Sequence, residues 1–451
     1  MKLSTLLSFI GLSLSSICII VNIFTANSQF DFSNKFAKEF QQMGGEGAMS
    51  FYFLVITYIG FPVLPLLPLI PLFILKDKWV PFKIAFLFAI GGYIIGLLKI
   101  IYGGPRPWWV GLGIKVYGQC SVTDYGRPSG HAFISLYAFM LMFQYYIYED
   151  QSKPYSERII TQIIDIEALD DDSSARNSDA SAEETKTGLL KKKQKMSTLE
   201  KPQFSEWDGR KTTWLVLGII LCFVIGLSRV YLGAHSIEQI LLGWSYATIF
   251  YIFTVYKLDD QTDRLLLYFL DGRHRHHNLK ILVGVVLMYI FTLVLPLVIL
   301  VVTDAAREAD KKAWFANMIL QCKYNDEFPI NSASLYLCVI ASAAWAMVLG
   351  LMFAKTNIML TPDSLTVTKR ILRKLVAIVV YGVFAVVLLY GLKTTSYVVY
   401  YLVNLNLCLL FIVLSAYLLL PRLFVALKLS EGLQVDVLDT SNLAYLTDNE
   451  P

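Results

Sequence analysis

Three short segments carry residue types suited to a phosphate group. "KIIYGGPRPWW" holds Lys99 and Arg106, and "YGRPSGHA" holds Ser129, Gly130 and His131. "GLSRVYLGAHSIEQ" holds Arg229 and His235, with Gln239 one helical turn further on. Lys99, Arg106 and Arg229 are three cations with few anions near them in sequence. Gathered in a low-dielectric site they would repel one another unless an anion sat between them. An arginine fork matches phosphoryl oxygens. Ser129 offers a hydroxyl, and Gly130 permits close backbone approach at a helix start, where anions are stabilised. Of the two histidines, one can attack phosphorus through a neutral imidazole nitrogen while the other protonates the leaving oxygen. No metal-ligand spacing is visible, so the three cations would do what magnesium does elsewhere, and no cofactor is expected.

These segments resemble a known family. Lys99 and Arg106-Pro107 match K-x6-RP, Pro128 to His131 match PSGH, and Ser228-Arg229 with His235 match SR-x5-H. They are similar to the three signature motifs of the type-2 phosphatidic acid phosphatase and haloperoxidase superfamily, in order and with matching internal spacing. The resemblance implies a six-helix membrane core over roughly residues 5–257, and a site facing the lumen or the exterior. It also implies that Lys99, Arg106, Ser129, Gly130 and Arg229 hold the phosphoryl oxygens. His235 would be the nucleophile that becomes a phosphohistidine; His131 would be the general acid and then activate water. The family's third motif usually ends H-x3-D, but Gln239 stands at that position. Four residues on along a helix, its amide oxygen can accept from His235 Nδ1–H and set the tautomer, though it brings no negative charge. Glu238 is a carboxylate, but it projects about 100° away around the helix. Gln239, "RPWWV" and "GRPSGHA" are also similar to glucose-6-phosphatases, and the Gln to dolichyl-diphosphate phosphatases. A lipid phosphate such as phosphatidate or a sphingoid-base phosphate is the first substrate expectation, and a sugar phosphate the second. An inactive scaffold or an anion transporter is the reading from a different class.

The elements that must position these residues are membrane helices. The 451-residue chain is 56% hydrophobic and only 16% charged, with a mean hydropathy of +0.55, where a soluble chain is about a quarter charged. The net charge of +4 is dispersed and shows no aromatic-interleaved basic patch, so nucleic acid is not an expected partner; membrane lipids are. Ten apolar runs reach span length, roughly at 5–25, 51–75, 80–101, 131–149, 212–232, 236–257, 279–303, 333–355, 372–392 and 396–420. The fold class is thus all-α and polytopic: a phosphatase core over 1–257, about four further helices over 258–430, and an acidic tail over 431–451. The first run reads as a retained helix, because its n-region is only "MK" and no small-residue cleavage site follows. Four prolines in "FPVLPLLPLIPLFIL" should kink or break the second run.

Lys and Arg concentrate in alternate loops, which places the N-terminus in the cytosol and the three motif segments on the other side. An endomembrane such as the endoplasmic reticulum is the expected location, with the plasma membrane as the alternative. Segment 150–211 runs acidic then basic and reads as a solvated cytosolic insertion. Residues 26–50 and 304–332 are expected to be loops on the motif side. Cys120 and Cys322 fall on that side; two free thiols are expected, with a disulfide open to them in an oxidising compartment. Trp108 and Trp109 read as an interfacial aromatic belt. Gly92 and Gly96 read as a close helix contact. "RHRHH" reads as a basic cytosolic loop rather than a metal site.

Overall fold

The computed structural model describes residues 3–44, 47–59, 79–110, 113–118, 124–148, 207–270, 279–322, 332–353, 366–390 and 396–429. Several expectations fall outside these residues: the proline-rich stretch, most of the 150–211 insertion, "RHRHH", the acidic tail, and Cys120.

Among the described residues the chain is helical, and seven helices are long and apolar enough to cross a membrane. Ten spans were expected. The remaining three runs are also helical where described: Ala48–Ile59, Gly130–Met142 continued by a π-helical turn Phe143–Tyr148, and Val367–Tyr390. The protein is therefore an all-α, multi-pass membrane protein. In chain order the helices are α1 (Leu3–Gly44), α2 (Ala48–Ile59), α3 (Trp79–Tyr102), α4 (Gly130–Met142), α5 (Gly209–Tyr231), α6 (Ile237–Phe253) and α7 (Asp259–Leu270). There follow α8 (Leu279–Ala306), α9 (Glu308–Cys322), α10 (Ala341–Phe353), α11 (Val367–Tyr390) and the segmented helix α12 (Tyr397–Ala426).

Two expected loops are helices instead. Residues 26–44 continue α1, which bends at Thr25. At 1.5 Å per residue α1 spans roughly 60 Å, about twice the thickness of a bilayer's hydrocarbon core. Its outer half buries Phe30, Ser33, Asn34, Ala37 and Gln41, spaced three, one, three and four residues apart along a single face. Three of these five are polar, so a hydropathy search passes over the stripe. The Gln41 amide then ties the helix end down: Nε2 donates to the carbonyls of Lys115 and Tyr231, both at 2.7 Å.

The second such helix is α9, inside the stretch expected to be a loop over 304–332. It buries Trp314 and Met318, four residues apart, against the short 3-10 helix Pro107–Val110. Cys322, at its C-terminus, is disulfide-bonded. Cys18, Cys222, Cys338 and Cys408 are free thiols.

Packing centres on α3, α4 and α6. α4 lies against α3, α5 and α6, while α1 packs on α6 and α2 on α5. The C-terminal helices dock directly on α3. A side chain at Gly92 would come within 2.7 Å of Ile340 and one at Gly96 within 2.7 Å of Cys338, so the bare helix face admits the segment Ser332–Ile340. Phe133, Tyr137, Phe250, Ile340 and Met347 join both halves of the chain in one apolar core.

Candidate active site

The site is assembled from helix ends. Lys99 lies in the last turn of α3, Ser129 caps α4, Arg229 lies in the last turn of α5, and His235 precedes α6. Two helix C-termini and two helix N-termini thus bring cations and N-terminal dipoles together.

The local geometry follows from the loops between them. Ser129 accepts from Ala132 N at 3.4 Å, and its own N–H donates to the Gln239 carbonyl at 2.9 Å, joining the start of α4 to α6. Gly130 opens α4, where a side chain would come within 3.2 Å of Lys99 Cε. After α5 the chain turns back on itself: the Arg229 carbonyl accepts from Ala234 N at 3.0 Å and from His235 N at 3.1 Å. Gly126 lies so close to its surroundings that a Cβ there would meet Pro105 O at 2.6 Å and Gln239 Oε1 at 2.9 Å.

His235 is 1% exposed, and its Nδ1 faces two oxygens, Gly126 O at 2.8 Å and Gln239 Oε1 at 3.2 Å. Neither the carbonyl nor the amide oxygen can donate, so the proton sits on Nδ1 and Nε2 carries the lone pair. The backbone carbonyl is the nearer of the two. Gln239 also donates Nε2 to Pro105 O at 2.8 Å and accepts from Ser236 N at 3.4 Å, so it ties the first motif segment to the third as well as touching the histidine. Burial, and then the Arg106, Lys99 and Arg229 cations, push the His235 imidazole well below the ordinary histidine range. The ring is therefore neutral at neutral pH. His131 lies within electrostatic reach of the same three cations.

Arg106 is 2% exposed and held on three sides. Nε donates to Asp124 O at 2.8 Å, Nη1 to Ala234 O at 2.9 Å, and Nη2 to Asp124 Oδ1. Lys99, 1% exposed, donates to Asp124 Oδ2 and to Tyr125 O, each at 2.6 Å. Arg229, also 1% exposed, reaches Thr57 Oγ1 on α2 at 3.4 Å.

Sequence reading missed Asp124, the anion among these cations. Burial raises its carboxyl, but Arg106 and Lys99 outweigh that and hold it well below the usual carboxylate range. It stands five residues before Ser129 with no periodic pattern to flag it. Glu238, which helix geometry turns away from Gln239's face, is buried and pairs with Arg127 at 3.2 Å, clamping the second segment onto α6. Trp108 and Trp109 do not form an interfacial belt, because both are fully buried. Trp109 packs on Trp314 with ring centroids 5.7 Å apart, and α9 donates Asn317 and Gln321 side-chain amides to the Trp109 and Trp108 carbonyls at 2.8 and 3.0 Å. The later helices also reach the site loop. Ser334 Oγ accepts from Tyr125 N at 2.9 Å, and Asp304 accepts from the Tyr125 hydroxyl at 3.0 Å.

Three buried cations and a histidine whose Nδ1 faces two acceptor oxygens are gathered at four helix ends, an arrangement suited to a phosphate ester. Residues 81–263 match the family model of the PAP2 superfamily, which identifies that stretch as a domain of the type-2 phosphatidic acid phosphatase superfamily. The matched stretch runs from α3 into α7 and contains Lys99, Arg106, Ser129, Gly130, His131, Arg229, His235 and Gln239. Membership supports a phosphatase acting on phosphate esters. Comparison with curated proteins and with solved structures returns no match.

Proposed function

We propose that the protein hydrolyses phosphomonoesters through a phosphohistidine on His235. The observation that carries this reading is the Nδ1 position of His235, facing two oxygens that can only accept. It leaves Nε2 as an unprotonated nucleophile beside three cations. In the first step Nε2 attacks phosphorus, the P–O bond to the leaving group breaks, and His131 protonates that oxygen. In the second, His131 takes a proton from water, the water oxygen attacks phosphorus, and the P–N bond breaks to release phosphate. Lys99, Arg106 and Arg229 offset the charge that spreads over the phosphoryl oxygens, with Ser129 and the Gly130 N–H completing the cradle.

The preferred substrate is a lipid phosphate, phosphatidate or a sphingoid-base phosphate. Its support is position: the site lies at the ends of apolar helices α3, α4, α5 and α6, where a lipid headgroup could approach. A sugar phosphate is the second reading, supported by Gln239 and by a helical cover, α9, over Trp108 and Trp109. We place the site on the lumenal or exterior side of an endomembrane, treat 1–257 as the catalytic unit, and treat 258–430 as its support.

The test is hydrolysis by detergent-solubilised protein, in EDTA, of phosphatidate, sphingosine phosphate, glucose 6-phosphate and a dolichyl diphosphate, beside His235→Ala. Equal turnover by the two proteins would overturn the nucleophile. No turnover of any substrate would favour a scaffold or an anion carrier.

A further inference from the structure

The sequence demanded an anion among Lys99, Arg106 and Arg229, and the chain supplies one of its own. Asp124 presents two carboxylate oxygens, one to Lys99 Nζ and one to the Arg106 fork. Two oxygens spread across the same two cations is how a phosphoryl group would be gripped.

Backbone carbonyls hold the same cations alongside the carboxylate. Arg106 is already fixed by the Asp124 and Ala234 backbone carbonyls, and Lys99 by the Tyr125 carbonyl. What the side chain adds is a negative charge. It is also the most exposed member of the cluster, at 17% against 2% for the side chains of Lys99 and Arg106, so it has an open side toward which to turn.

We propose that the Asp124 carboxylate is a resident counter-anion of the phosphoryl pocket, and that a phosphate ester binds by displacing it from Lys99 and Arg106. The proposal rests on the phosphatase reading and adds a selectivity to it. A carboxylate tethered to the same loop competes at high effective concentration. A singly charged oxyanion merely exchanges one negative charge for another and loses to that tether. A dianion brings twice the charge to the cations, and carboxylate–dianion repulsion at a few ångströms drives Asp124 outward. Asp124 thus biases the pocket toward phosphomonoester dianions and against phosphodiester monoanions.

Tungstate and perrhenate test this directly, being tetrahedral oxyanions of similar size with two charges and one. Their binding is measured by calorimetric titration of the full-length solubilised protein at fixed ionic strength. Wild type should bind tungstate at least tenfold more tightly than perrhenate, and Lys99→Met should weaken tungstate binding. Asp124→Asn should tighten perrhenate by tenfold or more and narrow the gap. A folded Asp124→Asn protein with unchanged or weaker affinity for both anions overturns the proposal; Asp124→Ser serves if the Asn variant does not fold. Wild type that binds both anions equally overturns it without any variant. If tungstate binds wild type and Lys99→Met weakens it while Asp124→Asn changes nothing, only the role of Asp124 falls. If tungstate binds neither wild type nor variant, the phosphate site falls with it.

Discussion

The two buried lysines of α3 lie sixteen residues apart, roughly 24 Å along the helix, in opposite electrostatic company. Lys83, fully buried, sits between two carboxylates, 2.5 Å from Asp259 and 2.8 Å from Asp263, and lies over the Tyr145 ring. The Tyr145 hydroxyl donates to Asp259 as well. Lys99 shares a single carboxylate, Asp124, with Arg106, and Arg229 stands within electrostatic reach. One cluster pairs its lysine with two carboxylates of α7. The other sets one carboxylate, Asp124, between Lys99 and Arg106, and it is the one at which the phosphatase motifs converge. Burial of charge alone does not mark a ligand site; the two clusters differ in which residues share the charge and in where the helices place them.

Breaking each end should separate the two roles. His235→Ala should have the largest effect on turnover, a fall on the order of 10^4-fold, with the fold intact by size-exclusion profile. Next come the two lysines, read by melting temperature and turnover together. Lys83→Met strips the cation from two buried carboxylates and should destabilise the protein by roughly 3–5 kcal/mol, lowering the melting temperature. Lys99→Met leaves Asp124 paired with Arg106 and relieves cation repulsion. It should hold the melting temperature near wild type while turnover drops on the order of 10^2–10^3-fold. A Lys83 variant as stable as wild type, or a Lys99 variant that mainly unfolds, would erase the contrast.

Gln239→Leu should have a smaller effect, about tenfold in kcat, because the Gly126 carbonyl still holds Nδ1–H. Gln239→Asp should fall between Leu and wild type, since a shorter carboxylate accepts from His235 but cannot donate to Pro105. A loss of 10^3-fold in either would make Gln239, not the backbone, the determinant of the tautomer. The subtlest effect lies in pH dependence. On the proposed mechanism the nucleophile is lost when His235 takes a proton, and burial with three cations depresses that protonation. After correction for substrate ionisation, the acid limb of kcat/KM should lie below about pH 6.5, the ordinary histidine value. Lys99→Met removes one of those cations and should shift the limb to higher pH.

Much of the site was legible because each motif is local. Lys99 and Arg106 are seven residues apart across one helix end, and Arg229 and His235 are six apart across one turn, so short-range geometry carries them. The long apolar runs were legible for a similar reason, since a membrane helix satisfies its backbone within itself. Residues 26–44 and Glu308–Cys322 were not, because their buried faces are polar or aromatic rather than uniformly apolar. Their helicity depends on what they pack against.

From the sequence alone came the superfamily, the multi-pass helical class and the residues available to handle phosphate. Only tertiary structure put Asp124 between Lys99 and Arg106, Gly126 O against His235, Glu238 beside Arg127 and α9 over Trp108 and Trp109. Each is a contact between segments whose relative position no local periodicity encodes. In a low-dielectric site such contacts decide which charges the chain itself pairs.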